Sequence, residues 1–183
     1  MRVRPAIRAD VAAMLDLERQ CPEAAHWSQR QYEDLFGALG DGPGRLVLVV
    51  EESAEAGEHR SESPPGAEFS GLVFRTLGFL IGREINPEWE LENIVVAPAT
   101  RRKGLATRLL TALLDRARET NSERVFLEVR ESNQAARAFY ARLGFEQSGR
   151  RKLYYTNPPE DAVLYRLTLS PSSQPGSHPD RSS

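Results

Sequence analysis

Apolar residues fall along this chain at two spacings, and each spacing predicts a different kind of element. Leu105, Leu109, Leu113 and Ala117 recur every four residues, which puts them on one side of a helix. Asp10 followed by Val11, Met14, Leu15 and Glu18 predicts an earlier helix with Asp10 as its N-cap. Ser28, with Gln31 three residues on, forms a capping box for a second helix running to about Phe36. Strands are predicted at Val3 to Ile7, Leu46 to Val50, Gly78 to Ile85, Glu90 to Val96, Val125 to Arg130 and Ala162 to Leu169. Ser70 to Arg75 is either a further strand or the beginning of the next. Alternation within Val125 to Arg130 puts Phe126, Glu128 and Arg130 on one face and Val125, Leu127 and Val129 on the other. Ser132-Asn133-Gln134 then opens a short helix with Ala136, Phe139, Tyr140 and Leu143 on one side, closed by Gly144 at its C-terminal cap.

Three stretches carry neither period. Gly37 to Gly44 contains four glycines and a proline and is predicted as a loop. Glu51 to Glu68, rich in Glu, Ser, Pro and Gly, cannot bury enough apolar surface to order itself, so a flexible surface insertion is expected at 51–68. Ser170 to Ser183 is expected to be a disordered tail. Residues 1–169 then form a single domain, with enough chain to bury a full core. No apolar run reaches the ~18 residues of a membrane span and the N-terminus lacks a signal-peptide core, so a cytoplasmic protein with no membrane partner is expected. The single Cys21 cannot form an internal disulfide and has no ligand spacing with His26, His59 or His178. No metal site is expected, and Cys21 reads as a small apolar residue.

The net charge of −2 is unevenly divided: residues 93–152 carry 13 Arg or Lys against 6 Asp or Glu, a surplus of +7, which leaves −9 for the remainder. A basic patch on an acidic protein suits a small polyanion better than a nucleic acid, and no direct nucleic-acid partner is expected. Arg108, Arg116, Arg118 and Arg137 read as solvated helix faces. The place for a polyanion is where Pro98 ends the strand and Arg101-Arg102-Lys103-Gly104-Leu105-Ala106 leads into the long helix. The first amides of a helix have no internal partner, the dipole favours negative charge there, and Gly104 lets a phosphate approach the backbone. Neither G-x-x-x-x-G-K-[ST] nor a strand-linked G-x-G-x-x-G is present; the pattern is R-x-x-G-x-A.

That pattern resembles the pyrophosphate-binding motif of the GNAT family of N-acetyltransferases, R/Q-x-x-G-x-G/A, with Ala106 at the third small position. The run LEVRESNQAARAFYARLGF resembles the branch of that family that modifies protein N-termini, nearest to bacterial members acting on the N-terminal alanine of a ribosomal protein. There a Glu, an Asn five residues on and a Tyr twelve residues on recur together; here they are Glu128, Asn133 and Tyr140. Arg150-Arg151-Lys152-Leu153-Tyr154-Tyr155 followed by Glu160-Asp161-Ala162 resembles the R-R-x-Y-Y…E-D-A ending of the same branch. The resemblance runs from about Arg2 to Leu169, less the insertion. It implies an α/β (α+β) fold: a mixed, mostly antiparallel twisted sheet with helices on both faces. The central strands, ending near Val96 and beginning near Val125, would splay to admit acetyl-coenzyme A.

By that resemblance the reaction is acetyl transfer to the N-terminal α-amine of a protein. A lysine or small-molecule acetyltransferase of the same fold, or a non-catalytic acyl-coenzyme A sensor, are the alternatives. Glu128 would accept the amine proton, directly or through water, and Tyr140 would donate to the coenzyme A sulfur. Ile94, Val95 and Val96 would offer backbone groups to the pantetheine arm, which Asn133 would also contact. Arg102, Lys103, Gly104, Leu105, Ala106 and Thr107 would cradle the pyrophosphate. Trp27, Tyr154 and Tyr155 would border the acceptor. The residues alone leave a second account of each side chain open: Glu128 as a structural carboxylate paired with Arg130 or Arg151, Tyr140 as a core aromatic beside Phe139, Asn133 as a helix cap, Trp27 as a helix staple, and Tyr154 and Tyr155 as packing.

Overall fold

The computed structural model describes residues 1–37, 44–54 and 73–170, and these build one seven-stranded sheet with helices on both faces. In chain order the elements are β1 (Arg2–Pro5), α1 (Val11–Arg19), α2 (Gln29–Asp34), β2 (Arg45–Ala54), β3 (Val73–Ile85), β4 (Glu88–Val96), α3 (Leu105–Glu119), β5 (Arg124–Arg130), α4 (Gln134–Arg142), β6 (Glu146–Thr156) and β7 (Pro159–Thr168). The strands lie in the order β1-β2-β3-β4-β5-β7-β6, and every neighbouring pair is antiparallel except β4 and β5.

The four-residue repeat places α3 as expected: Leu105, Leu109, Leu110, Leu113 and Ala117 are buried against Leu80, Trp89, Leu91 and Leu127 of the sheet. Each buried leucine contributes about 1.5–3 kcal/mol relative to an exposed one. α4 packs into the same cluster through Tyr140. On the opposite face Met14, Leu17, Tyr32 and Leu35 cover Val49, Phe79, Ile81 and Val95. The capping box of α2 is complete, with the Gln31 amide donating to Ser28 Oγ (3.3 Å) and the Ser28 amide donating to Gln31 Oε1 (2.9 Å). Asp10, however, makes no side-chain cap bond to α1. Its carboxylate takes the Arg4 guanidinium (2.7 and 2.8 Å) and the Ile7 amide (2.8 Å), because a charged donor competes better than a helix amide.

Two strand boundaries differ from the pattern-based ones. Glu51 to Ala54, which composition assigns to the insertion, extend β2 and pair with Val73 to Thr76. The buried Glu51 accepts from Arg2 (2.6 Å) and Arg4 (2.8 Å), so long-range ion pairing supplies what local apolarity lacks. Residues 55–68 of the expected insertion, 38–43 of the expected loop and 171–183 of the expected tail lie outside the described residues. Val73 to Ile85 is one strand, so residues 73–75 open β3 instead of forming an element of their own. β6 escapes pattern reading altogether, since nine of its eleven positions are exposed and no period marks it.

The feature that positions the site is the contact between β4 and β5. They pair only from Glu88 to Leu91 against Arg124 to Leu127, and beyond those four residues they part. On the other side β4 stays bonded to β3 as far as Val96, but the register skips Glu92. That bulge reverses the alternation of β4: Trp89 and Leu91 face α3, whereas Val95 faces α1 and α2.

Gly78 fixes the end of β4 that lines the gap. A Cβ there would lie 2.7 Å from the Val95 carbonyl oxygen and 3.2 Å from Val50 Cγ1 and Val96 Cγ2. Gly78→Ala is therefore expected to lower the unfolding free energy by about 1–3 kcal/mol, seen as a lower urea midpoint at constant slope. Gly149→Ala, whose Cβ would come no closer than 3.8 Å to Leu164, is expected to change it by under ~0.5 kcal/mol.

Candidate active site

The parting of β4 and β5 opens a cleft of about 670 Å³, within the size range of small-molecule sites. One wall is Glu92 to Val96 of β4, the turn after it and the start of α3. The other is Glu128 to Arg130 of β5, together with Asn133 and one side of α4. The loop between α1 and α2 closes one end with Cys21, Glu23, Ala24 and Ala25.

The turn into α3 is built to meet an anion. Arg102 and Gly104 both take left-handed backbone angles (φ 62° and 77°), and Gly104 is the N-cap residue of α3. The first helical bond is Arg108 N–H to the Gly104 carbonyl (3.0 Å), and among the described residues the amides of Arg102 to Thr107 have no partner. A Cβ on Gly104 would meet nothing within 4 Å, so the backbone there faces open space. Arg102, Gly104, Leu105, Ala106 and Thr107 all line the cleft, as do Ile94, Val95 and Val96. Lys103, expected in the cradle, does not line it. Leu105 contributes its backbone, because its side chain is buried in the core below.

Across the cleft Glu128 and Tyr140 both line the wall. Alternation in β5 is as expected: Val125, Leu127 and Val129 join the core under α3, leaving Glu128 on the opposite face. One oxygen of Glu128 is held by Arg151 Nη1 at 3.0 Å. The pairing with Arg151 and the position in the cleft thus coexist. Arg130 is engaged elsewhere, with Glu160 (3.2 Å), the Asn157 carbonyl (3.1 Å) and the ring of Tyr155, 4.1 Å below its guanidinium. Tyr140 packs against Phe139, Phe145 and Tyr165, at centroid distances of 5.3, 5.7 and 6.3 Å, and its hydroxyl has no hydrogen-bond partner among the described residues. Burial pushes this phenol well above the usual tyrosine range, so it holds its proton at neutral pH. Asn133 caps α4 by accepting from the Ala136 amide (3.0 Å) and also lines the cleft.

The three acceptor-side residues do not converge. Tyr155 lines the cleft. Tyr154 lies outside it, 47% exposed and edge-on to Tyr155 at 5.2 Å, where the Glu128 carboxylate holds its phenol above the ordinary range. Trp27 does not line the cleft either: its ring tilts on Tyr32 at 5.7 Å and its amide donates to the buried Glu18 (2.9 Å). Cys21 is buried, as a small apolar residue would be, but it is not inert. Its thiol donates to the Val96 carbonyl (3.7 Å) and receives Arg101 Nη2 (3.3 Å), and Arg101 also grips Glu23 at 2.6 Å. Arg101 therefore ties the α1–α2 loop to the anion turn. Only its place in the cationic run marked it in the sequence.

The profile of the acetyltransferase (GNAT) family matches residues 11–145. The chain is 35% identical over 111 residues to a ribosomal protein bS18-alanine N-acetyltransferase of Haemophilus ducreyi, an alignment spanning 57% of this chain and 77% of that one. It is 42% identical over 129 residues to an N-alpha-acetyltransferase of Mycobacterium tuberculosis, covering 70% and 77%. The crystal structure of the Escherichia coli ribosomal-protein-S18-alanine N-acetyltransferase superposes with a TM-score of 0.68 at 25% identity, covering 96% of this chain and 99% of the other.

Tyr155, on β6, gives the lining of the cleft a pH signature. Burial pushes its phenol up to about 12, against ~10 for an unfolded tyrosine. Its contribution to stability is therefore fully present below about pH 10 and lost as pH rises through about 12. Tyr155→Phe is expected to lose less stability than the parent between about pH 9 and 11.5 in urea unfolding, and parallel losses would contradict this placement.

Proposed function

The chain belongs to the GNAT family of acetyltransferases, and from that premise we propose that it moves acetyl from acetyl-coenzyme A to the N-terminal α-amine of a protein, with the N-terminal alanine of a ribosomal protein as acceptor. Such an acceptor places the reaction in the cytoplasm. The observation that carries the mechanism is the cleft itself, which has a carboxylate and a protonated phenol on the wall facing an unpartnered strand edge and helix N-terminus.

The residues present fit coenzyme A. Free amides from Arg102 to Thr107, the empty space over Gly104 and the Arg102 side chain suit a pyrophosphate. The edge of β4 at Ile94 to Val96, which does not pair with β5 and whose Val96 carbonyl takes only the weak Cys21 thiol donor, suits the amide-bearing pantetheine arm, which would bond to it as an added strand does. Asn133 supplies a side-chain amide on the facing wall while its oxygen caps α4. Acetyl-coenzyme A, when bound, supplies the activated acetyl thioester; the chain's own groups supply position and proton transfer.

The acceptor amine attacks only when neutral. An α-amine, ordinarily near ~8, reaches that state far more readily than a lysine near ~10.4. Glu128 accepts the proton released as the new amide forms, directly or through one water. Arg151 holds one oxygen of that carboxylate at 3.0 Å and so fixes its direction. Tyr140, protonated and free of other hydrogen bonds, gives its proton to the departing sulfur. Tyr155 lines the cleft on the acceptor side, and the exposed Tyr154, edge-on to it, would border the entering peptide. Trp27 acts indirectly, by holding that loop in place through Tyr32 and Glu18.

The test uses acetyl-coenzyme A with two peptides, one bearing a free N-terminal alanine and no lysine, the other blocked at its N-terminus with an internal lysine. Acetylation of the first alone is expected, and Glu128→Gln and Tyr140→Phe are each expected to slow it by ~10²–10³. Acetylation of only the blocked peptide would replace this acceptor with a lysine. Unaltered rates in both variants would remove the assigned proton acceptor and donor.

A further inference from the structure

We propose that Arg142 recognises the 3′-phosphate of coenzyme A, so that one guanidinium on α4 lets the chain distinguish coenzyme A from its dephospho form. The proposal rests on the coenzyme A reading above and names a contact that the motif residues do not supply.

Four arginines line the cleft: Arg101, Arg102, Arg130 and Arg142. Two are already committed. Arg101 is held by Glu23 at 2.6 Å and by Cys21, and Arg130 by Glu160, the Asn157 carbonyl and the Tyr155 ring. Among the described residues the other two have neither an ion pair nor a hydrogen bond. Arg102 stands in the anion turn on the α3 wall, and Arg142 is the last residue of α4 on the facing wall, exposed to solvent. The pyrophosphate already has Arg102, a helix N-terminus and a row of free amides. A phosphomonoester carries a further charge of about −1.5 to −2 at neutral pH and calls for a cation of its own.

The geometry of α4 allows Arg142 to serve it without disturbing the reacting end. Ala135, Phe139 and Arg142 follow the i, i+4, i+7 spacing of one helix stripe and all line the cleft. Tyr140 also lines the cleft, but it is two residues away, about 200° around the helix, with its ring packed into the core. A planar guanidinium can give a phosphate two parallel hydrogen bonds, which a lysine ammonium cannot. Arg142 puts its positive charge at the C-terminal end of α4, where no other cation of that helix lines the cleft.

Calorimetric titration of the purified chain with coenzyme A and with dephospho-coenzyme A tests this directly. The wild type is expected to bind coenzyme A about tenfold more tightly, with the ratio shrinking at high salt. Arg142→Ala should lower coenzyme A affinity to the level of the dephospho form while leaving the latter where it was, and Arg142→Lys should restore part of the difference. Arg118→Ala, which removes an α3 arginine paired with Asp115 (2.8 Å), controls for net charge and should preserve the wild-type ratio. An Arg142→Ala protein that keeps that ratio, or that weakens both ligands equally, overturns the proposal. So does a wild type that binds both equally. A wild type that binds neither would instead overturn the coenzyme A reading, and this contact with it.

Discussion

The separation of β4 from β5 is the constraint on which the rest of this structure depends. Two parallel strands that bond over four residue pairs and then diverge leave polar backbone groups facing a gap. Groups of that kind must find partners in water or in a ligand. The bulge at Glu92 turns the outer half of β4, and the pairing with β3 that resumes from Asn93 to Val96 keeps it from swinging back. α3 packs its leucines over the closed half of the junction, so its N-terminus, with free amides and a left-handed Gly104, opens at the same gap. Strand edge and helix end are thus presented together by one packing arrangement.

The second requirement is that the walls hold their spacing. On the α1 side a buried Glu18 accepts from the Asn93 side chain (2.9 Å) and the Trp27 amide (2.9 Å), with Tyr32 beside it. A buried carboxylate is tolerable only when its oxygens are satisfied in this way. The result is a link from β4, one residue before Ile94, to the loop that ends the cleft. Arg101 makes a second link between that loop and the anion turn through Glu23 and Cys21. On the far side Arg130 clamps the end of β5 to β7 through Glu160 and to the β6–β7 turn through the Asn157 carbonyl. These contacts preorganise the cleft without occupying its centre.

Much of this was legible in the sequence where the signal is local. The four-residue repeat of α3, the Ser28 and Gln31 capping box, the alternation that turns Glu128 away from Val125, Leu127 and Val129, and the glycine at the head of α3 all depend on residues a few positions apart. The contacts that shape the walls do not. Asn93 meets Glu18 across 75 positions and Arg101 meets Cys21 across 80, and neither pairing can be read without the sheet order. The same limit explains β6, whose exposed positions carry no period. It also explains Trp27 and Tyr154, where motif position predicted the acceptor side but the side chains lie outside the cleft. Glu51 shows the converse: a polar composition suggested an insertion, yet two arginines from β1 draw that carboxylate into a strand.

The most direct measurement is amide hydrogen exchange of the purified chain with and without coenzyme A. If the open edge of β4 and the head of α3 are the ligand's partners, exchange should slow at Ile94 and Val96, whose amides face the gap, and at Arg102 to Thr107, and little elsewhere in the sheet. Tight binding that leaves those amides exchanging as before, with protection concentrated outside the cleft between β4 and β5, would contradict the account.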